Sequence, residues 1–202
     1  MGMEYAQGGT LMDLQKAYTH SRKHMKDEDC SKVIKGILLG LKHLHRNDYV
    51  HRDLKPSNVV ITDTDQLECC KLVDFGLAVK YQTRQGMDET CGTLVYQAPE
   101  QMAGGQCYGK AVDVWAAGFI MYEMIAGKHP LWQKNDTNEA YRAKALNYKR
   151  LKYGRRFNKF SQGLVEKLCH PKPSLRYTVD QALQHPWITR NFSDEIPRNH
   201  FE

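Results

Sequence analysis

No part of this 202-residue chain approaches the ~18 consecutive apolar residues of a membrane-crossing helix, and no signal-peptide pattern opens it. Its first residues, MGMEYA, put Ala6 where a myristoylation signal needs Ser or Thr. The six cysteines (Cys30, Cys69, Cys70, Cys91, Cys107, Cys169) include no Cys-x-x-Cys pair, and no histidine spacing suits zinc. A disulfide framework and a zinc module are therefore not expected. Each cysteine reads as a small buried residue in a reducing compartment. Internal repeats and low-complexity tracts are missing too. Together these absences lead to the expectation of a soluble, cytoplasmic protein with no membrane partner.

Acidic residues are the scarcer charge, 23 against 29 Lys or Arg, for a net charge of +6. Much of the excess falls in Tyr141–Lys159, with eight Lys or Arg interleaved with Tyr141, Tyr148, Tyr153 and Phe157. Clustered cations release counterions on binding phosphate, so a nucleic-acid patch is one reading. No nucleic-acid motif accompanies the stretch. A solvated, basic helix face followed by a loop is the expectation, with no nucleic-acid partner.

What is present is an ordinary globular composition, 41% hydrophobic and 26% charged. A chain of this length buries roughly 70% of its unfolded surface in one core. Val33, Ile34, Ile37, Leu38, Leu41 and Leu44 recur at helical spacing and predict an amphipathic helix over 28–46, capped by Asp27 or Asp29. The stretch from Asp113 to Ala126, DVWAAGFIMYEMIA, is apolar nearly all round and predicts a central buried helix closed by Gly127. SQGLVEKLCH and TVDQALQHPW predict two more helices, the second capped by Thr178 and stopped before Pro186. Val59–Ile61 and Lys71–Val73 are short β-branched runs that predict one small hairpin, the only strands expected.

Between the long helix and that hairpin lies YVHRDLKPSNVVI, Tyr49 to Ile61. A carboxylate at Asp53 can accept a proton from an attacking hydroxyl, and Lys55 can neutralise charge on a transferring group. Asn58 offers an oxygen ligand for a hard cation, and VDFGLA supplies a second ligand at Asp74. Acid, cation, amide and second acid together describe metal-assisted phosphoryl transfer.

These motifs make the chain resemble the C-terminal lobe of a eukaryotic protein kinase. HRDLKPSN resembles the catalytic loop, DFG at 74–76 the magnesium-binding turn, and APE at 98–100 the end of the activation segment. Asp53 and Asp74 are 21 residues apart, and Asp74 to Glu100 spans 27, in the family's order. The resemblance implies a mainly α fold with a small β-hairpin. It implies a hinge segment over 1–12, the lobe over 13–188 and a tail over 189–202. It also implies ATP and Mg2+ as cofactors and a protein as substrate. Adenine would meet the backbone of Glu4 and Ala6 and the side chain of Val60, with Leu11, Ile120 and Met124 continuing the apolar column. Asp113 would anchor the catalytic-loop backbone, and Glu100 would pair with Arg176.

Lys55 and Thr93 are the serine/threonine forms of their motifs. CGT…YQAPE, AAGFIMYEMIAGKHPLW and ALQHPWI look most like the calcium/calmodulin-dependent group. Thr10 and Ser57 stand where group members that bind basic peptides usually carry acids, although Asp13 is near and Glu123 is kept. A strict preference for arginine upstream of the target does not follow. Glu89 holds the place of a commonly phosphorylated threonine. It is expected to meet Arg52 and a further basic residue, Lys80 or Arg84, which leaves Thr90 the lesser candidate for modification. Nothing before the hinge supplies a G-x-G-x-x-G loop, a strand lysine or its helix glutamate. The expectation is a kinase whose N-terminal lobe lies elsewhere; the alternative is a silent lobe serving as a binding or structural module.

Overall fold

A computed structural model describes residues 8–81, 86–104 and 107–190. Eight α-helices appear among them: α1 (Leu11–His20), α2 (Asp27–Arg46), α3 (Pro99–Ala103), α4 (Ala111–Ala126), α5 (Asn138–Leu146), α6 (Lys159–Leu168), α7 (Val179–Leu183) and α8 (Pro186–Thr189). The strands are only two residues each: β1 (Tyr49–Val50), β2 (Val59–Val60), β3 (Lys71–Leu72) and β4 (Val79–Lys80). The fold is mainly α with small antiparallel ladders.

Helix α4 is the axis of the lobe. Its apolar residues leave no polar face, so thirteen of its sixteen residues are buried. It ends at Gly127, whose left-handed φ of 72° suits a residue without Cβ. Gly118 lets α6 approach: a Cβ there would come within 2.4 Å of Cys169 Sγ. Helix α2 lays Val33, Ile34, Ile37, Leu38 and Leu41 against this axis, each fully buried.

Neither Asp27 nor Asp29 caps α2. The cap is Lys26, which makes no side-chain bond. The Asp27 carboxylate is taken by other donors, accepting from Trp187 Nε1 at 3.1 Å, from Asn158 Nδ2 at 2.8 Å and from Arg190. Thr178 does cap α7, accepting from Gln181 N at 3.3 Å, and α7 stops short of Pro186 as expected.

The anticipated hairpin pairs Val59 with Leu72 and Val60 with Lys71. The sequence reading missed a second ladder, Tyr49 with Lys80 and Val50 with Val79. It also missed α1, which starts inside the segment assigned to the hinge. Residues 8–10 run along the hairpin, with Gly8 N donating to Ile61 O at 3.1 Å and Ile61 N to Gly9 O at 2.9 Å. The chain then turns into α1 through a capping box. Asp13 N donates to Thr10 Oγ1 at 3.2 Å, and Thr10 N donates to Asp13 Oδ2 at 3.1 Å.

The basic stretch reads as anticipated, helix α5 and then an irregular segment. Tyr141 and Phe157 belong to the core, 0% and 6% exposed, and the cations face outward.

Candidate active site

The loop after β1 is positioned from below by α4. Asp113, 1% exposed, accepts His51 N at 2.9 Å and Arg52 N at 3.0 Å through its two carboxylate oxygens. His45 Nε2 lies 2.9 Å from the same carboxylate. A buried carboxylate is tolerated only when its oxygens are bonded in this way. Its grip holds Arg52 at φ 66°, a left-handed conformation that costs a non-glycine residue roughly 1 kcal/mol or more. Asp74 is the other such residue in the site, at φ 62°.

Asp53 is 8% exposed, and each of its carboxylate oxygens accepts two hydrogen bonds. Oδ1 accepts from Thr93 N and Thr93 Oγ1, both at 2.7 Å. Oδ2 accepts from Lys55 Nζ at 2.7 Å and, more weakly, from Asn58 Nδ2 at 3.3 Å. Lys55 also reaches Thr93 Oγ1 at 2.8 Å. Burial pushes the Asp53 carboxyl up, but the hydrogen bonds from Lys55 and Thr93 outweigh it and hold the group below its usual range. At neutral pH Asp53 is ionised.

Asn58 is buried, and its Nδ2 also donates to Asp53 O at 2.9 Å, which leaves the side-chain oxygen for another ligand. Its backbone carbonyl accepts Val73 N at 3.0 Å, so Asp74 follows directly beside it. The Asp74 carboxylate is exposed and accepts Gly76 N at 3.4 Å. One carboxylate and one amide oxygen fit magnesium, which commonly takes one or two protein carboxylates and completes its shell with phosphate and water.

Thr93 reaches Asp53 because Gly92 precedes it. A Cβ on Gly92 would sit 2.3 Å from Arg52 O, and its φ of +89° already favours glycine. Arg52 ties the neighbouring segments to this loop. Its Nε donates to Leu77 O at 2.7 Å and its Nη1 to Glu89 Oε2 at 3.1 Å. Among the described residues Arg52 is the one basic group on the Glu89 carboxylate, and Tyr108 meets the Glu89 backbone instead. The Tyr108 hydroxyl donates to the Glu89 backbone carbonyl at 2.6 Å, and Lys80 sits opposite Tyr49 in the ladder. Arg84 lies outside the described residues. Thr90 Oγ1 donates to Gln101 O at 3.2 Å.

Glu4 and Ala6 also lie outside the described residues. Val60 is half-buried on the hairpin, and Leu11, Ile120 and Met124 belong to the core at 0%, 0% and 4% exposure. Glu100 and Arg176 form a forked pair at 2.5 and 2.8 Å. Glu123 accepts Tyr96 Oη–H at 2.8 Å, and burial raises its carboxyl above the usual range. The sequence reading named neither His45 nor Tyr108 nor Tyr96. Each acts across tens of residues and has no local signal. The Thr10-x-x-Asp13 capping pattern was legible and would have found α1.

Residues 1–188 match the protein kinase domain. The chain belongs to the protein kinase family. Calcium-dependent protein kinase 14 of Arabidopsis thaliana is 32% identical over 92% of this chain and 34% of its own length. Calcium-dependent protein kinase 21 of Oryza sativa subsp. japonica is 33% identical over 92% of this chain and 32% of its own. Protein kinase kin1 of Schizosaccharomyces pombe is 31% identical over 95% of this chain and 20% of its own. The chain thus spans about a third or less of the curated relatives it matches. The anticipated resemblance to serine/threonine kinases, most like the calcium/calmodulin-dependent group, is met by relatives named as calcium-dependent protein kinases. No helix among the described residues is long and apolar enough to cross a membrane.

Proposed function

We propose that these residues form the catalytic-loop half of a cytoplasmic serine/threonine protein kinase, which transfers the γ-phosphate of ATP to serine or threonine in protein substrates. The observation that carries this reading is the convergence of Lys55, Thr93 and Asn58 on the Asp53 carboxylate. A carboxylate offers about four acceptor positions, and all are filled here. An incoming hydroxyl takes the weakest, the 3.3 Å contact from Asn58. Asp53 orients that hydroxyl and takes its proton as the oxygen bonds phosphorus, while Lys55 offsets the charge developing on the transferred group. Asn58 and Asp74 are the protein ligands for Mg2+, which when bound neutralises phosphate charge. Adenine is assigned to the backbone of Glu4 and Ala6 and to Val60, with Leu11 continuing the apolar column.

Glu89 substitutes for a phosphate in this reading. One carboxylate supplies part of the −1.5 to −2 charge that a phosphorylated side chain would bring to Arg52. The pair joins a buried guanidinium to a glutamate side chain that is 70% exposed, so its contribution is small and screened by salt. In a two-lobed kinase carrying this chain, phosphatase treatment is expected to leave the rate unchanged, and Glu89→Ala to slow it several-fold. Loss of activity on dephosphorylation would contradict the assignment and return Thr90 to consideration.

The other reading is a silent lobe that binds a partner. It is favoured by the 48% exposure of Phe75 beside the site. Phosphoryl transfer relies on positioning, and these residues hold the acceptor and metal side without the groups that align the phosphates. The purified chain alone, given magnesium, labelled ATP and a generic Ser/Thr substrate, is expected to transfer no more than an Asp74→Asn control. Fusion behind a glycine-rich kinase lobe should restore transfer. Failure of the fusion to do so would favour the silent lobe.

A further inference from the structure

A groove of about 1150 Å³ opens between the segment after α4 and the segment joining α5 to α6. Residues 128–156 hold nine Lys or Arg against two Asp or Glu, a net +7 in a chain of +6, so the rest of the protein is close to neutral. Lys128, Arg150, Lys152 and Arg155 line the groove, are exposed, and have no carboxylate partner among the described residues. Of the two acids, Asp136 is occupied by Lys144, which reaches its two oxygens at 2.6 and 2.8 Å. Cations gathered without counter-charges repel one another, a cost that a bound anion relieves. The half-buried Leu131 and Trp132 give the groove an apolar wall.

Its place in the fold points toward the acceptor side of the catalytic site. His129 lines the groove and its Nε2 lies 3.0 Å from Val95 O, to which Tyr141 Oη–H also donates at 2.6 Å. Val95 lies two residues beyond Thr93, whose hydroxyl is on Asp53.

We infer that this groove docks an acidic stretch of a protein substrate, with aliphatic or aromatic residues interspersed among its carboxylates. The inference rests on the kinase reading for the word substrate, and on the groove itself for the chemistry. A polypeptide fits better than a nucleic acid because most of the local aromatic surface is packed against other rings. Tyr122 and Phe157 are each 6% exposed and pack at 4.8 Å, and the half-buried Trp132 packs on Tyr141 at 5.6 Å, so the groove lacks the fully presented aromatic rings on which successive bases stack.

The test is fluorescence anisotropy on the full 202-residue chain with a short labelled peptide alternating Glu and Leu. A Gln–Leu peptide and an oligothymidine strand serve as comparison probes. The Glu–Leu peptide is expected to bind, more weakly as salt rises, and the Gln–Leu peptide to bind far less. Lys152→Glu with Arg155→Glu, and separately Lys128→Glu with Arg150→Glu, should weaken binding about tenfold. Lys35→Glu with Lys172→Glu, the same charge change at exposed sites outside the groove, should weaken it by less than about twofold. All these side chains are exposed, and unchanged thermal midpoints would exclude misfolding. Equal losses in groove and control variants, equal binding of the Gln–Leu peptide, or tighter binding of the oligonucleotide would overturn the inference. Binding needs no ATP and no transfer, so a negative result here leaves the kinase reading intact. A negative transfer assay likewise leaves the docking result intact.

Discussion

Arg176→Ala is expected to lower the thermal midpoint by roughly 10 °C and to reduce soluble yield. The Arg176 side chain is fully buried and its Glu100 partner is 10% exposed. All five of its N–H groups are used. Beyond the fork to Glu100, Nε donates to His170 O at 2.7 Å, Nη1 to Ala111 O at 3.2 Å and Nη2 to Pro171 O at 3.3 Å. The guanidinium also lies 4.8 Å from the centre of the Trp115 ring. Truncation strands the Glu100 carboxylate together with three backbone carbonyls. Removing one partner of a buried pair typically costs 3–5 kcal/mol, a large share of the 5–15 kcal/mol that holds a domain together. Arg176→Lys keeps the charge and loses the fork, so its midpoint should fall between the two. An unchanged midpoint in Arg176→Ala would show that the pair adds nothing to the fold.

Asp53→Asn, in a two-lobed kinase carrying this chain, is expected to lower kcat by the 10²–10⁴-fold typical of a lost general base, with little change in KM for the protein substrate. The amide leaves one acceptor oxygen where the carboxylate had two. Its NH2 group must then face either the Lys55 ammonium or the Thr93 donors, setting donor against donor. Asp74→Asn should abolish magnesium-dependent turnover, because a single carboxylate supplies the charge at that position. The pH profile gives a separate check. Lys55 and Thr93 depress the Asp53 pKa, so the group stays charged until the pH falls below its ordinary value of about 3.9. An acidic limb due to Asp53 therefore lies below that value and not near neutrality. Near-normal turnover by Asp53→Asn at saturating substrate would remove Asp53 from the role of base.

Much of this was legible in the sequence, and what was missed has a common cause. The period of Val33, Ile34, Ile37, Leu38 and Leu41 located α2, and the unbroken apolar run of α4 placed it at the centre, because burial on one face or on all faces leaves a repeating pattern. The family motifs led to Asp113 beneath the loop and to the Glu100–Arg176 fork. The ladder of β1 and β4 left no trace, since two-residue strands are too short to alternate. Asp27 was read as a cap from its position at a helix start. Its carboxylate is claimed by donors from residues 158, 187 and 190, which no local rule could bring together. His45 and Tyr108 escaped for the same reason: each meets the site only after the chain has folded.

The Asp113 carboxylate has a consequence for which parts of the site can move independently. It bonds the amides of His51 and Arg52 from the most buried helix of the lobe, so freeing those amides means disrupting the core. Proteins open in cooperative units, and these two amides are expected to exchange with the slowest one, alongside α4. The described residues between Asp74 and Thr93 are attached differently, by the two-residue β1–β4 ladder, the Met87–Tyr108 bridge and the contacts of Arg52 with Leu77 and Glu89, and not by α4. Hydrogen exchange is expected to be slower at the amides of His51 and Arg52 than at the exposed turn Asp74–Gly76.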